Sequence, residues 1–148
     1  MYFVDSKLID KRLTYFDKLI SEFSKTEVPR SFETEKAVER MCQMMIEVMM
    51  DVGNQMIDGF IMRDPGSYED IVHILVDEKV VSKEDGKAFE ALLPWRKELM
   101  QNYIDVNIAD LFDAFKRESN TLHNFSGKIR LYLENELGPV SAFLPKNE

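Results

Sequence analysis

Histidine, cysteine and basic charge are all scarce in this chain. Its two histidines, His73 and His123, are far apart in sequence, and its one cysteine, Cys42, has no partner. A lone cysteine excludes an intramolecular disulfide and fits a reducing compartment, the cytoplasm. So few imidazole and thiol groups leave no cluster with zinc-ligand spacing, and Glu47 with Asp51 is too thin a pair to argue for a metal. There is no glycine-rich phosphate loop and no nucleophile elbow, and no cofactor is implied. Apolar runs are short and broken by charge, so none is long enough to span a bilayer. The opening Met1-Tyr2-Phe3-Val4 leads straight into Asp5 and Lys7, unlike a secretory signal. Against 27 acidic residues stand only 19 basic ones, giving a net charge of −8. The basic residues are scattered, with pairs at Lys11-Arg12 and Arg96-Lys97 rather than a stripe. This argues against broad, non-specific nucleic-acid binding and leaves open a narrow site for RNA built on one or two arginines.

What is present is a globular balance of 45% apolar and 31% charged residues in 148 positions, enough for one domain, 1–148. Helical periodicity recurs throughout, with no strand-like alternation, internal repeat or low-complexity segment. The spacing predicts an all-α antiparallel bundle of about five helices. The first runs from about Asp5 to Phe23, with Leu8, Phe16, Leu19, Ile20 and Phe23 at helical spacing. The second runs from about Phe32 to Met62 and stops at Asp64-Pro65-Gly66. Ser67-x-x-Asp70 and Ser82-x-x-Asp85 read as capping boxes opening the third and fourth. Pro94 should break the fourth and open a separate piece from Trp95 to Tyr103. The fifth starts at an Asn107 cap and continues through Ile129 and Tyr132 to Gly138-Pro139. Beyond it Phe143 and Leu144 offer apolar groups to dock, in no predictable form.

Seven of the nine methionines lie between Met41 and Met62. The second helix is apolar over more than one stripe, which suits a central core helix or, secondarily, a subunit interface. Its other side carries a polar row of Gln43, Glu47, Asp51, Asn54 or Gln55, and Asp58. By spacing alone this row is either a solvated face or the wall of a cleft.

The segment Pro94-Trp95-Arg96-Lys97-Glu98-Leu99-Met100-Gln101-Asn102-Tyr103 carries most information. On a continuous helix Arg96 and Tyr103 fall within roughly 20° of one face. The pattern resembles the signature of the HepT-like branch of the HEPN superfamily: an Arg, a short helical spacer, a His, any residue and a Tyr. Gln101 occupies the position of the His. Val38-Glu39-Arg40, Gln43, Ile46-Glu47, Asp51, Gly53-Asn54 and Ile57 resemble the family's second helix. Ser67-Tyr68-Glu69-Asp70 with Ile74-Leu75 resembles the segment that follows. The likeness runs from about Val38 to Leu111, and Gln55 stands where many relatives have a His.

The resemblance implies an all-α endoribonuclease, typically a toxin paired with a minimal nucleotidyltransferase antitoxin, acting as a homodimer with its cleft at the interface. It assigns Arg96 to phosphorane charge, Gln101 to the position of the general base and Tyr103 to the tyrosine that receives adenylate. Glu47 and Asp51 are expected to line the cleft, one of them pairing with Arg96. Glutamine does not titrate, so it cannot replace His as a base near neutral pH. Losing such a base costs on the order of 10²–10⁴ in rate. Two readings follow. One is a degenerate family member with impaired or absent RNase activity. The other is an active metal-independent toxin neutralised by a nucleotidyltransferase. The bland alternatives for Arg96 and Tyr103 are an inter-helix ion pair and an amphipathic boundary residue.

Overall fold

The computed structural model describes residues 4–137 and 142–144. It is an all-α bundle in which seven helices can be followed: α1 (Ser6–Ser24), α2 (Phe32–Gly59), α3 (Tyr68–Asp77), α4 (Lys83–Leu92), α5 (Pro94–Gln101), α6 (Ile108–Arg117) and α7 (Ser119–Glu136). The core helix is α2, which packs against α1, α3, α5 and α6. Val38, Cys42, Met45, Ile46, Met49, Met50, Val52, Met56 and Ile57 are all buried along it. Of the two readings of its methionines, the structure bears out the first, a central core helix. Met45, Met49, Met50 and Met56 are enclosed by the chain's own helices, where their unbranched side chains fill an irregular core.

Local signals set most boundaries. The Asp5 side chain accepts from Lys7 N–H at 2.9 Å and starts α1. Ser67 accepts from Asp70 N–H, and Asn107 from Asp110 N–H, each at 3.1 Å. Ser82 and Asp85 form a full capping box on α4, and Asp85 also pairs with Lys128 on α7. At Ser67 only half the box forms, because the Asp70 carboxylate turns away to Gly66 N–H and to Arg63. Pro94 separates α4 from α5 as expected, sitting in the first turn where its missing N–H is not needed.

Three expectations change. In α1 Ile9 and Leu13 join the expected Phe16, Leu19, Ile20 and Phe23 in the core, while Leu8 is 40% exposed. The fifth pattern is two helices, broken at Glu118, where the Ser119 hydroxyl donates to the Lys116 carbonyl at 2.6 Å and competes with the helical ladder. And α2 stops at Gly59, three residues early. Ile61 N–H reaches Asp58 O and Met62 N–H reaches Ile57 O, a Schellman closure that puts Ile61 at φ 55°. A branched side chain is strained there. The expected stop at Gly138-Pro139 lies outside the described residues. Past α7, Phe143 lies in a parallel bridge with Val4, and its ring covers Gly59 and packs on Phe60 at 5.0 Å.

Candidate functional site

Helices α2, α3 and α5 meet where Glu47, Tyr68 and Arg96 converge. Pro94 opens α5, so Arg96 stands in its first turn, turned toward α2. Arg96 Nε donates to Glu47 Oε1 at 2.7 Å, and both side chains are about a quarter exposed, at 27% and 26%. The guanidinium carbon lies 4.5 Å from the centroid of the Tyr68 ring, a cation–π distance. Of the two carboxylates expected to meet Arg96, Glu47 makes the contact. It does so with one hydrogen bond rather than the two-bond pair that arginine and carboxylate can form. Among the described residues, Nη1 and Nη2 donate no hydrogen bond.

Asp51 lies one turn along from Glu47 on the same side of α2 and faces Arg12 of α1, with 3.8 Å between Nη2 and Oδ2. Its carboxyl is held above the usual range. Burial raises it most, Arg12 lowers it, Glu47 raises it and Arg96 lowers it. Two carboxylates and two guanidinium groups thus share one electrostatic field. Such a cluster can hold an anion on its cationic side. It can also accept a proton at a carboxyl whose charge is disfavoured. Arg12 and Tyr68 are the members that sequence reasoning did not assign to the site. Arg12 showed there only as half of a basic pair, and Tyr68 as part of a helix-opening pattern.

Gln101 and Tyr103 are placed differently. Gln101 is the last residue of α5 and is exposed, and Tyr103 lies beyond the helix with 62% of its surface open. The expected helical piece to Tyr103 ends two residues early, where the Asn102 side chain donates to Glu98 Oε1 at 2.9 Å. The shared face calculated for Arg96 and Tyr103 therefore does not exist. No hydrogen bond or ion pair among the described residues joins either Gln101 or Tyr103 to Arg96. Neither histidine enters the cluster's hydrogen bonds or ion pairs. His73 Nε2 is 2.6 Å from Glu90 Oε1 on α4, and His123 is exposed on α7. Gln55 Oε1 is enclosed and has no partner among the described residues. An open groove of about 940 Å³ between the α3–α4 turn and α7 contains none of these residues. No group of three or more potential metal ligands occurs among the described residues, and no described helix is long and apolar enough to cross a membrane.

Comparison with known proteins identifies the family. A Bacillus subtilis (strain 168) protein named "Putative RNase YutE" is 46% identical over 143 residues, 97% of this chain and 99% of its own length. A solved structure described as a cytosolic protein of unknown function, YutE from Bacillus subtilis, superposes with a TM-score of 0.89. It is 46% identical and covers 97% of this chain and 100% of its own. The family described as "Ribonuclease HepT-like" matches residues 9–129. With that span and that identity, the chain belongs to the HepT-like ribonuclease family.

Proposed function

We propose that this chain is a cytoplasmic HepT-family homodimer that keeps a phosphate-facing arginine and has lost most or all RNase activity. One observation carries the reading. The Arg96 cluster consists of Glu47, Asp51, Arg12 and Tyr68, and Gln101 at the motif position is a group that cannot titrate. Arg96 and Gln101 are five residues apart, about 140° around α5, so one subunit does not bring them together. A partner subunit supplying the second half of the cleft would. Met100, Tyr103 and Ile104, the last 84% exposed, form an apolar edge at the end of α5 suited to such a contact. The relative described as cytosolic supports the location.

A second reading is an active metal-independent endoribonuclease toxin, silenced by a nucleotidyltransferase that modifies Tyr103. It draws on the relative named as an RNase, on the raised carboxyl of Asp51 and on the open position of Tyr103. The deciding experiment measures RNA cleavage by the purified protein in a chelating buffer, beside Gln101→His. The degenerate reading expects little or no wild-type cleavage and a gain on restoring the imidazole. Efficient wild-type cleavage that Arg96→Ala abolishes would sink it. Sedimentation at micromolar concentration tests the dimer, and a monomer alone would count against it.

A further inference from the structure

Tyr68 is 41% exposed and stands outside the hydrophobic core, yet its ring is the surface against which Arg96 lies. It is the first residue of α3, directly after the Ser67 cap. That helix start is fixed by Asp70, whose carboxylate takes two hydrogen bonds from Arg63 and one from Gly66 N–H. The ring is thus carried on a braced segment. Glu47 restrains Arg96 at Nε, and Tyr68 restrains it through one flat face. The two contacts together hold the guanidinium between a carboxylate and an aromatic ring and leave the Nη edge without a protein acceptor among the described residues. An edge with two parallel N–H donors matches two oxygens of a phosphodiester.

We infer that Tyr68 is a positioning residue for Arg96, setting the guanidinium plane so that its Nη edge receives a phosphodiester of single-stranded RNA. The inference rests on the reading of Arg96 as a phosphate contact. It adds the device that keeps the arginine from collapsing onto the neighbouring carboxylates Glu47 and Asp51. Because Tyr68 acts through its ring face, phenylalanine should serve as well and leucine should not.

The test is fluorescence anisotropy of a fluorescein-labelled single-stranded oligoribonucleotide, at low salt, with the full chain and with Tyr68→Phe, Tyr68→Leu, Arg96→Ala and the Tyr68→Leu/Arg96→Ala double variant. Thermal melting is followed in parallel. Tyr68→Leu should weaken binding about three- to tenfold, the scale of a cation–π contact, with the melting temperature unchanged. Tyr68→Phe should bind like wild type. In the Arg96→Ala background, Tyr68→Leu should cost nothing more. If Arg96→Ala weakens binding and Tyr68→Leu does not, the inference is overturned and the reading of Arg96 stands. Further loss in the double variant overturns it too, since Tyr68 then contacts RNA independently. A fall in melting temperature that accompanies the weakening would assign Tyr68 a structural role instead. If wild type does not bind, or Arg96→Ala binds as well as wild type, the phosphate reading fails and this inference fails with it.

Discussion

Arg63 gives both terminal guanidinium nitrogens to Asp70, at 2.8 and 2.9 Å, whereas Arg96 gives only Nε to Glu47, at 2.7 Å. The two arginines flank the same helix start and meet the same kind of partner, but their remaining donors differ. Arg63 spends its fork closing the turn between α2 and α3. The hydrogen bonds from Arg63 and then from Gly66 pull the Asp70 carboxyl down to about 2. Arg96 keeps its fork unspent in a half-buried setting. Charge and residue type alone do not separate a structural arginine from one available to a ligand. The geometry of the pairing does.

The largest effect should come from the Gln101→His background. Restoring a titrating group should raise RNA cleavage by about 10²-fold, the lower end of what a general base contributes. In that background Arg96→Ala should abolish the gain, while Arg63→Ala, which loosens the brace beneath Tyr68 but removes no phosphate contact, should cost much less at temperatures where the variant is folded. Equal losses from both substitutions would erase the distinction between the two arginines.

A smaller effect concerns the turn that Arg63 closes. Ile61 holds a left-handed backbone conformation, and Ile61→Gly should relieve it, raising stability by about 1 kcal/mol after the entropic cost of glycine is subtracted. Chemical denaturation measures this. A loss of stability would mean that the Ile61 side chain, 58% exposed, contributes more than its backbone strain removes.

The smallest effects separate the two carboxylates by the sign of their pH dependence. Asp70 is lowered in the folded state. Its contribution is therefore fully present above the ordinary carboxyl value of 3.8 and is lost as pH falls toward about 2. Asp51 is raised, so the folded state holds its proton longer than the unfolded chain and stability falls as pH rises through the window above 3.8. Asp70→Asn should lower the melting temperature at neutral pH and converge with wild type in acid. Asp51→Asn should raise it at neutral pH and also converge in acid. Melting curves across that range decide both, and shifts of the same sign for the two variants would show that the environments are not opposed.

Sequence reading succeeded where the signal is local. The caps at Asn107, Ser67 and Ser82 and the break at Pro94 each depend on residues within one turn of the chain. The break at Glu118 was hidden, because Phe115 and Leu122 are seven residues apart and keep the helical period across it. The stop at Gly59 was hidden too, since the left-handed position after it holds isoleucine rather than glycine. In the candidate site, Glu47 was implied, together with Asp51, by the resemblance of α2 to the family's second helix, since the polar row alone left its role open. Tyr68 could not be named, because its contact with Arg96 depends on how α3 and α5 lie on α2. The exposure of Tyr103 was likewise out of reach, since it depends on where a short helix ends.

The bridge between Val4 and Phe143 makes the described chain a nearly closed ring. Val4 N–H donates to Ala142 O at 2.7 Å, and Leu144 N–H donates to Val4 O at 2.8 Å. Val4 and residues 142–144 lie side by side over Gly59, at the end of α2 opposite its capped start. A short linker could therefore join them without crossing the bundle, and the chain could be reopened in the exposed α5–α6 turn at Ile104-Asp105. Such a circular permutant would place its new termini beside Tyr103, putting a label or a tether at the edge where a second subunit is proposed to dock.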